Sequence, residues 1–422
     1  MPTWGWALIV AMFSALICAF LFALTRRRST PYVKLDPEAF PSIDAALPLL
    51  AGLTESCVYY GNSARVLQNG ALFPAMFEDI RNAKHTVHLE TFVWAKGQLE
   101  KEFVDALCAK ARAGIRVRVL IDSVGGSQAD PEQIKRLCEG HVHLANYCSP
   151  RWWNWNRFNH RTHRKLLIVD GSIGYSFGHG IRDQWLGEGT DSEHYRDTAL
   201  RLEGPVVHGL QAVFAQNWVE ETHNLPADEG TFPKLDARGE MPAHVVSSAS
   251  GDALSSVAML YTIAIAMARK EVLIQNPYFA PDDGVVDLFK MVTKRGATVK
   301  LMVPGRHTDS PFVRRAGCHL YEGLMRAGVR IYEFMPTLLH QKVVVVDGLW
   351  SHVGSTNFDS RSLALNEEVG VGVCDAGIAT ELKAAFNADL RHCKELKLDE
   401  WVRRPARIKA FEALAYMVHD QI

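Results

Sequence analysis

The 422-residue chain lacks an excess of either charge, with 46 Lys and Arg against 47 Asp and Glu and a formal net charge of −1. Proteins that depend on nucleic acid usually carry a clear basic excess, because phosphate contacts drive their affinity. We therefore expect no nucleic-acid partner. The balance of 48% hydrophobic and 22% charged residues is typical of a globular protein and excludes a disordered, collagenous or coiled-coil one.

Cysteine motifs are missing as well. Eight cysteines are scattered along the chain, but none forms a C-x-x-C pair or has the spacing of zinc ligands. We expect free thiols in a reducing compartment, and no metal or other cofactor. At roughly 100–200 residues per domain, the length suggests two or three domains with cores of their own.

One long hydrophobic run stands at the N-terminus. Trp6–Leu24 contains 19 residues and no charge, and as a helix it would be about 28 Å long, close to the ~30 Å hydrocarbon core of a bilayer. Arg26–Arg28 follow it, whereas the first five residues carry no Lys or Arg, unlike a cleaved signal peptide. We predict a single-pass membrane anchor with a basic flank over residues 1–28. The positive-inside rule then places the rest of the chain on the cytoplasmic side of the inner membrane.

The rest of the chain contains one unit twice. Val87–Asp122 and Val272–Pro304 each show a buried-strand pattern, an amphipathic helix that closes on Gly114 or Gly296, and a second buried strand. Strands that alternate with helices favour an α/β fold. We predict two pseudo-two-fold-related α/β repeats, with mixed sheets flanked by helices, behind the transmembrane helix. The predicted boundaries are 45–222 for the first repeat, 223–243 for a linker, 244–400 for the second repeat and 401–422 for a C-terminal helical tail.

Each repeat carries the pattern H-x-K-x4-D at a later apolar strand. The residues are His163, Lys165 and Asp170 in the first repeat and His340, Lys342 and Asp347 in the second. Side chains alternate along a strand, so the imidazole and the ammonium of each motif point to the same face, where they can act together on a phosphate. We expect each Asp to fix the turn after its strand. One match arises easily by chance, but two at equivalent points of a repeat indicate a function.

With these motifs the chain resembles the phospholipase D superfamily, whose signature is a duplicated H-x-K-x4-D, and within it the bacterial cardiolipin synthases. The resemblance covers nearly all of residues 60–400. The further segments that carry it are Leu89–Trp94, Arg196–Pro205, Gly354–Asn357, Phe358–Ser362 and Asn366–Glu368. The chain departs from the family in the first repeat, where Gly180 replaces an expected Asn that would donate to a phosphate oxygen. His179 is a candidate substitute.

The resemblance implies a covalent phosphoryl transfer without metal, in which one His forms a phosphohistidine and the other protonates the leaving alcohol. It implies His163 as the nucleophile and His340 as the acid and base. The other site residues that it implies are Lys165 and Lys342 as cations on the phosphate oxygens, Ser355 and Asn357 as hydrogen-bond donors, and Asp197 and Glu368 as carboxylates that orient the imidazoles. Whether each carboxylate serves the His of its own repeat or of the other is left open.

Three features favour a phospholipid substrate at a membrane. They are the N-terminal anchor, the stretch Arg151–Arg161 with Trp153 and Trp155 among arginines, and the amphipathic tail Ile408–Ile422. We predict that Trp153 and Trp155 bind substrate, although the same composition suits base stacking or a loop packed over the site. The tail equally suits a helix that caps the second repeat.

By resemblance, the predicted activity is that of a cardiolipin-synthase-type phosphatidyltransferase, which joins two molecules of phosphatidylglycerol and releases glycerol. The main alternative is a phospholipase D or other phosphodiesterase that hydrolyses phospholipid to phosphatidic acid. A nuclease is disfavoured by the anchor and the neutral charge. An inactive lipid-binding protein is a further alternative, motivated by Gly180. The sequence predicts nothing about the oligomeric state.

Overall fold

Strands and helices alternate along most of the chain in the computed structural model, which describes residues 5–6, 10–18, 40–148, 160–248, 255–281 and 284–417. The strands are β1 Tyr59–Gln68, β2 Thr86–Thr91, β3 Arg116–Asp122, β4 His143–Tyr147, β5 Arg161–Thr162, β6 Leu166–Val169, β7 Ile173–Phe177, β8 Thr198–Glu203, β9 Met241–Ser248, β10 Glu271–Gln275, β11 Phe279–Ala280, β12 Thr298–Pro304, β13 Arg330–Phe334, β14 Val343–Val346, β15 Trp350–Gly354, β16 Phe358–Asp359, β17 Asn366–Cys374 and β18 Cys393–Glu395. The helices are α1 at residues 10–18, α2 Leu47–Leu53, α3 Leu72–Asn82, α4 Gln98–Arg112, α5 Pro131–Glu139, α6 Val207–Thr222, α7 Ser256–Met267, α8 Gly284–Lys294, α9 Pro311–Arg326, α10 Ser360–Ala364, α11 Ala376–Leu390, α12 Leu398–Val402 and α13 Ala406–Met417.

The same strand order occurs twice in one mixed sheet. Within the described ranges this sheet has sixteen strands, and β11 and β16 pair apart from it. One half runs β4-β3-β2-β6-β7-β8-β1 and the other β13-β12-β10-β14-β15-β17-β9. In the first half β2 is parallel to β3 and antiparallel to β6, and in the second half β10 is parallel to β12 and antiparallel to β14. The mixed α/β architecture predicted from the repeat is therefore confirmed.

The two halves meet at β1 and β9, which pair antiparallel through Tyr59 with Ala243 and Asn62 with Met241. The structure thus joins the predicted mixed sheets into one. The halves also contact each other between β7 and β15, where the Ser176 hydroxyl donates to the Val353 carbonyl at 3.1 Å. Because β7 and β15 each follow a motif strand, this contact brings the two motifs to the centre of the molecule.

Three buried hydrophobic clusters hold the sheet and helices together. One packs α3, α4 and α5 on the first half of the sheet, and a second packs α7, α8 and α9 on the second half. The third is shared, since it contains Phe214 of α6 and Phe386 of α11 together with strand residues of both halves. Apolar burial is the main favourable term in folding, so the shared cluster ties the two repeats into one folding unit.

Two of the predicted boundaries are corrected by the packing. Residues 47–53 were assigned to the first repeat, but α2 packs against α7, and Leu47 and Leu50 lie in the buried cluster of the second half. The second repeat begins earlier than residue 244, because β9 starts at Met241 inside the predicted linker. The predicted glycine helix ends are confirmed: Gly114 and Gly296 follow α4 and α8 at φ values of +87° and +103°.

The predicted tail helix packs on the second repeat. α13 contacts α9 and buries Glu412, Ala415 and Tyr416. The Glu412 carboxylate accepts two hydrogen bonds from the Arg404 guanidinium, at 2.6 and 2.8 Å. The helix therefore caps the second repeat, whereas Phe411, Leu414 and Met417 on its outer side are 51–59% exposed. Contact of that outer side with a membrane remains a prediction.

The predicted anchor falls largely outside the described residues. Of Trp6–Leu24, the structure describes residues 6 and 10–18, which are helical, with large apolar side chains such as Phe13 and Leu16 exposed. Residues 7–9 and 19–24 and the flank Arg26–Arg28 are not described. Within the part that is described, no helix has both the length and the apolar character needed to cross a bilayer.

The Asp that ends each motif fastens the start of a neighbouring strand. Asp170 accepts hydrogen bonds from the backbone N–H groups of residues 84–86 at 2.7–2.9 Å. Asp347 accepts them from residues 269–271 at 2.7–3.1 Å. Both aspartates have positive φ, at +51° and +54°, the turn conformation in which Asp is enriched among non-glycine residues. They are structural, as the sequence predicts.

Candidate active site

Each motif histidine is held by a carboxylate of the other repeat. His163 Nδ1 lies 2.9 Å from Glu368 Oε1, and His340 Nδ1 lies 2.7 Å from Asp197 Oδ2. Both carboxylates are fully buried, and the two histidines are 9% and 7% exposed. The hydrogen bond to Nδ1 fixes the tautomer of each ring and directs chemistry to Nε2, which in His340 lies 3.1 Å from Lys342 Nζ. The question that the sequence left open is therefore answered: the partners are exchanged between the repeats.

The exchange extends to the backbone. The N–H of His163 donates to the carbonyl of Glu367 at 2.8 Å, and the N–H of His340 donates to the carbonyl of Arg196 at 2.8 Å. Glu367 and Arg196 directly precede the two carboxylates in sequence. Two consecutive residues of one repeat thus hold each motif histidine of the other by backbone and side chain. It follows that neither repeat contains a complete site by itself.

The two motif lysines are buried next to the histidines. Lys165 Nζ donates to the His163 carbonyl at 2.8 Å, and Lys342 Nζ donates to the His340 carbonyl at 2.7 Å. Both lysines are 1% exposed. Burial lowers the pKa of Lys165 to about 7 and that of Lys342 to about 8. An anion bound between them would favour their charged forms and raise both pKa values again.

The pair of His163 and Glu368 favours a neutral imidazole. Burial, and then the charges of Lys165 and Lys342, lowers the pKa of His163 well below its usual value. Burial also raises the pKa of Glu368 to about 7. The Phe92 ring packs edge-on against His163, with the ring centroids 5.2 Å apart. A neutral imidazole has a free lone pair on Nε2, which is what a nucleophile requires.

The pair of His340 and Asp197 differs because its carboxylate is strongly ionised. Burial alone would raise the pKa of Asp197, but the charges of His179, His340 and Lys342 outweigh burial and hold that pKa below its usual value. Burial and Lys342 lower the pKa of His340, while Asp197 opposes them through its charge and its hydrogen bond. An anionic Asp197 therefore stabilises a proton on His340.

In each motif, the side chain of the residue between His and Lys makes polar contacts on the opposite face of the strand. The Arg164 guanidinium lies 2.7 Å from the Glu367 carboxylate and donates to the Val213 carbonyl at 3.0 Å. Gln341 Nε2 donates to the Thr198 hydroxyl at 2.7 Å. Neither residue is among those predicted from the sequence, although its position between the motif residues places its side chain on the opposite face of the strand and was a usable signal.

Two predicted donors of the second repeat lie in the same buried region. The Ser355 hydroxyl donates to Glu368 Oε2 at 2.5 Å, so in this structure it holds the carboxylate, and its contact with a phosphate stays a prediction. Asn357 is 4% exposed, and its Oδ1 has no hydrogen-bond partner among the residues that the structure describes. The role of the Asn357 amide as a phosphate donor also stays a prediction.

In the first repeat, the prediction that His179 replaces the missing Asn is not supported. Its Nε2 lies 3.0 Å from the Asn69 carbonyl oxygen, and its ring packs edge-on against Phe73 and Phe177. The ring is fully buried behind Asp197, with Nδ1 3.9 Å from Asp197 Oδ2. His179 is therefore engaged by the Asn69 carbonyl behind Asp197, and the structure gives no support to its predicted contact with a phosphate.

The remaining predicted residues fall elsewhere. Trp153 and Trp155 lie outside the described residues, so their predicted contact with substrate stays a prediction. Across the ranges that the structure describes, no group of three His, Cys, Asp or Glu side chains is placed to hold a metal ion. Two buried imidazoles, two buried ammonium groups and two carboxylates thus meet where the repeats join, a set that can provide a nucleophile, an acid and positive charge for a phosphodiester.

The fold and the paired motifs place the chain in the class of phospholipase D-like proteins. Comparisons with known proteins identify the family within that class. A family model described as "Cardiolipin synthase, PLD-like domain" matches residues 76–186 and 261–390, together more than half of the chain. The chain is 32% identical to the major cardiolipin synthase ClsA of Bacillus subtilis over 361 residues, which cover 85% of this chain and 75% of the relative. It is 33% identical to cardiolipin synthase A of Pseudomonas putida over 381 residues, 90% of this chain and 76% of the relative.

Among solved structures, the phosphatidylserine synthase of Haemophilus influenzae superposes with a TM-score of 0.62 at 16% identity. The superposition covers 84% of this chain and 95% of that chain, and it supports the fold alone. The chain belongs to the cardiolipin synthase family of phospholipase D-like proteins. It is accordingly an enzyme of the phosphatidyltransferase type.

The buried lysines make anion binding dependent on pH. We expect the affinity for sulfate, which stays a dianion throughout, to fall roughly tenfold or more between pH about 6 and about 9, since Lys165 and Lys342 lose their protons as pH rises through about 7 and about 8. Calorimetric titration of the full-length protein in detergent measures this dependence. Lys165→Gln should bind more weakly with a flatter profile. An affinity that stays constant over the range would contradict the assignment of the lysines to the anion site.

Proposed function

We propose that this cardiolipin-synthase-type phosphatidyltransferase moves a phosphatidyl group from one phosphatidylglycerol to the headgroup hydroxyl of another, through a phosphohistidine on His163. The products are cardiolipin and glycerol. The observation that carries the proposal is the exchange of His–carboxylate partners, with His163 on Glu368 and His340 on Asp197. It supports two imidazoles of fixed orientation and unequal protonation in one site.

The first half of the reaction uses the two histidines in opposite roles. The lone pair on His163 Nε2 attacks phosphorus, the bond from phosphorus to the glycerol oxygen breaks, and that oxygen takes the proton of His340. The low pKa of His163 supports the nucleophile, and the ionised Asp197 beside His340 supports the acid. Lys165 and Lys342 neutralise the non-bridging oxygens, where negative charge is concentrated.

The second half reverses the proton transfer. The hydroxyl of the second phosphatidylglycerol loses its proton to His340 and attacks phosphorus, and the bond from phosphorus to His163 breaks. Water in place of this hydroxyl would give phosphatidic acid, the product of a hydrolase. We propose that the acceptor molecule determines whether the enzyme acts as a transferase or a hydrolase, because the same histidines serve both reactions.

The test is to incubate the detergent-purified full-length protein with phosphatidylglycerol and to identify the lipid products by mass spectrometry. We expect cardiolipin and glycerol as products of the wild-type protein. The variants His163→Ala and His340→Ala should each lose roughly a thousandfold or more in turnover, since each lacks a group needed for the nucleophilic or the proton-transfer step. Thermal unfolding should show that both variants remain folded. Phosphatidic acid as the main product would instead make the protein a hydrolase.

The role assignment has its own readout in the same experiment. After an alkaline quench, which preserves phosphohistidine, peptide mass spectrometry should find the phosphatidyl adduct on His163. An adduct on His340 would reverse the two roles while leaving the proposed activity intact.

We also propose that the enzyme is anchored in the cytoplasmic membrane by Trp6–Leu24, with Arg26–Arg28 and the catalytic body on the cytoplasmic side. The uncharged apolar run and the arginines that follow it support this orientation, and phospholipid substrates reside in that membrane. The full-length chain should stay in the membrane pellet through washes with high salt and with alkaline carbonate. Release by carbonate would contradict a spanning anchor and indicate a peripheral attachment.

A further inference from the structure

We propose that Trp185 is a positioning residue that holds Asp197 and, through it, His340, as the Ser355 hydroxyl holds Glu368 in the second repeat. The inference deepens the proposed function, on which it rests, because it concerns the residue that acts there as acid and base. Trp185 belongs to the turn Asp183–Trp185, outside the H-x-K-x4-D motif.

Corresponding positions of the two repeats carry different residues around the two carboxylates. Gly178, Gly180 and Trp185 follow His163 by 15, 17 and 22 residues, as Ser355, Asn357 and Ser362 follow His340. In the second repeat the carboxylate Glu368 accepts a hydrogen bond from the Ser355 hydroxyl, and the polar side chain of Ser362 also favours its ionised form. In the first repeat both small polar residues are absent, and the donor comes from an indole.

The indole contacts both members of the His–carboxylate pair. Trp185 Nε1 donates to Asp197 Oδ2 at 3.0 Å, the same oxygen that lies 2.7 Å from His340 Nδ1. The Trp185 ring also packs edge-on against the imidazole of His340, with centroids 5.2 Å apart and planes at 80°. Trp185 is only 4% exposed, so the hydrogen bond is shielded from water and correspondingly strong.

Two glycines of the first repeat leave the space that the Trp185 indole and the Asp197 carboxylate occupy. A Cβ at Gly180 would lie 2.8 Å from the Trp185 ring and 2.7 Å from Val93 Cβ, and a Cβ at Gly178 would lie 2.6 Å from Asp197 Oδ1. These approaches are shorter than ordinary van der Waals contact, so Asn at 180 and this placement of Trp185 exclude each other. Gly180 and Trp185 therefore form a matched pair, and the departure from the family pattern is no sign of an inactive site.

Holding the carboxylate has a consequence for proton transfer. A hydrogen bond donated to an ionised carboxylate stabilises the ion and lowers its pKa. The indole N–H thus adds to the charges that keep Asp197 ionised, and it fixes the oxygen that orients His340. Without this N–H the carboxylate is more basic and less well oriented, so it should bind the His340 proton more tightly and deliver it less well.

The variant Trp185→Phe tests this because it keeps a buried aromatic ring and removes the N–H, while the volume lost with the smaller ring is matched in the control variant below. We expect kcat for cardiolipin formation to fall roughly tenfold or more. We also expect the alkaline limb of the pH profile of kcat to move to higher pH, because with the anionic substrate bound both lysines keep their charge and this limb reports His340. Gly180→Ala should shift the profile in the same direction, since its Cβ displaces the indole. Thermal unfolding of each variant separates these effects from loss of fold.

A matched control is Trp350→Phe. Trp350 is fully buried, and its Nε1 lies 3.2 Å from His244 Nε2. It pairs with Val346, at the end of β14 that is farther from His340. This variant should lose stability but keep the wild-type pH profile. If Trp185→Phe behaves like Trp350→Phe, with an unmoved alkaline limb, Trp185 is only a packing residue and the inference fails. If the wild-type protein itself forms no cardiolipin, the proposed function fails instead.

Discussion

The exchange of imidazole–carboxylate partners between the repeats is the interaction on which the site depends. His163 relies on Glu368 and His340 on Asp197, and each histidine is also tied by its backbone N–H to the residue before the other repeat's carboxylate. A buried charge without a partner costs several kcal/mol, so separation of the halves would leave both carboxylates unsatisfied. The continuous sheet and the shared hydrophobic cluster hold the halves at the distance that this exchange needs.

Burial then determines how the site responds to a substrate. Without an anion, the lysines have pKa values near neutrality and both imidazoles are disfavoured as cations. A phosphodiester supplies the negative charge that the lysines lack, and it does so in a region where electrostatic interactions are weakly screened. The difference between a raised pKa for Glu368 and a lowered one for Asp197 supports the different roles that we propose for the two histidines. In the proposed reaction, a duplicated fold provides both a nucleophile and an acid.

Much of the fold was predictable because its signals are local. The strand–helix–strand units, the helix-ending glycines and the turn-fixing aspartates follow from hydrophobic period and backbone preference within single segments. The pairing of the two halves into one sheet was not predictable, because the sequences of β1 and β9 do not specify the strand with which each one pairs. Residues 47–53 were misassigned for the same reason, because an apolar helix face does not specify which half will cover it.

The site shows the same limit. The motif pattern identified the histidines and lysines, and the resemblance named both carboxylates, but the pairs lie 205 and 143 residues apart, and their exchange follows only from the assembled fold. Trp185 leaves no pattern in the sequence, because its contact with Asp197 follows only from the fold. The sequence shows the polarity of His179 but not its burial, which gives its predicted contact with a phosphate no support.

The most direct test of the exchanged pairs is a crystal structure of the full-length protein with vanadate, an analogue of the phosphoryl transition state. We predict vanadium bonded to Nε2 of His163, with Nε2 of His340 in hydrogen-bond contact with a vanadate oxygen on the opposite side. Nδ1 of each ring should remain on the carboxylate of the other repeat. Histidines paired with carboxylates of their own repeat, or a vanadate that contacts only one of the two rings, would contradict the exchanged pairs.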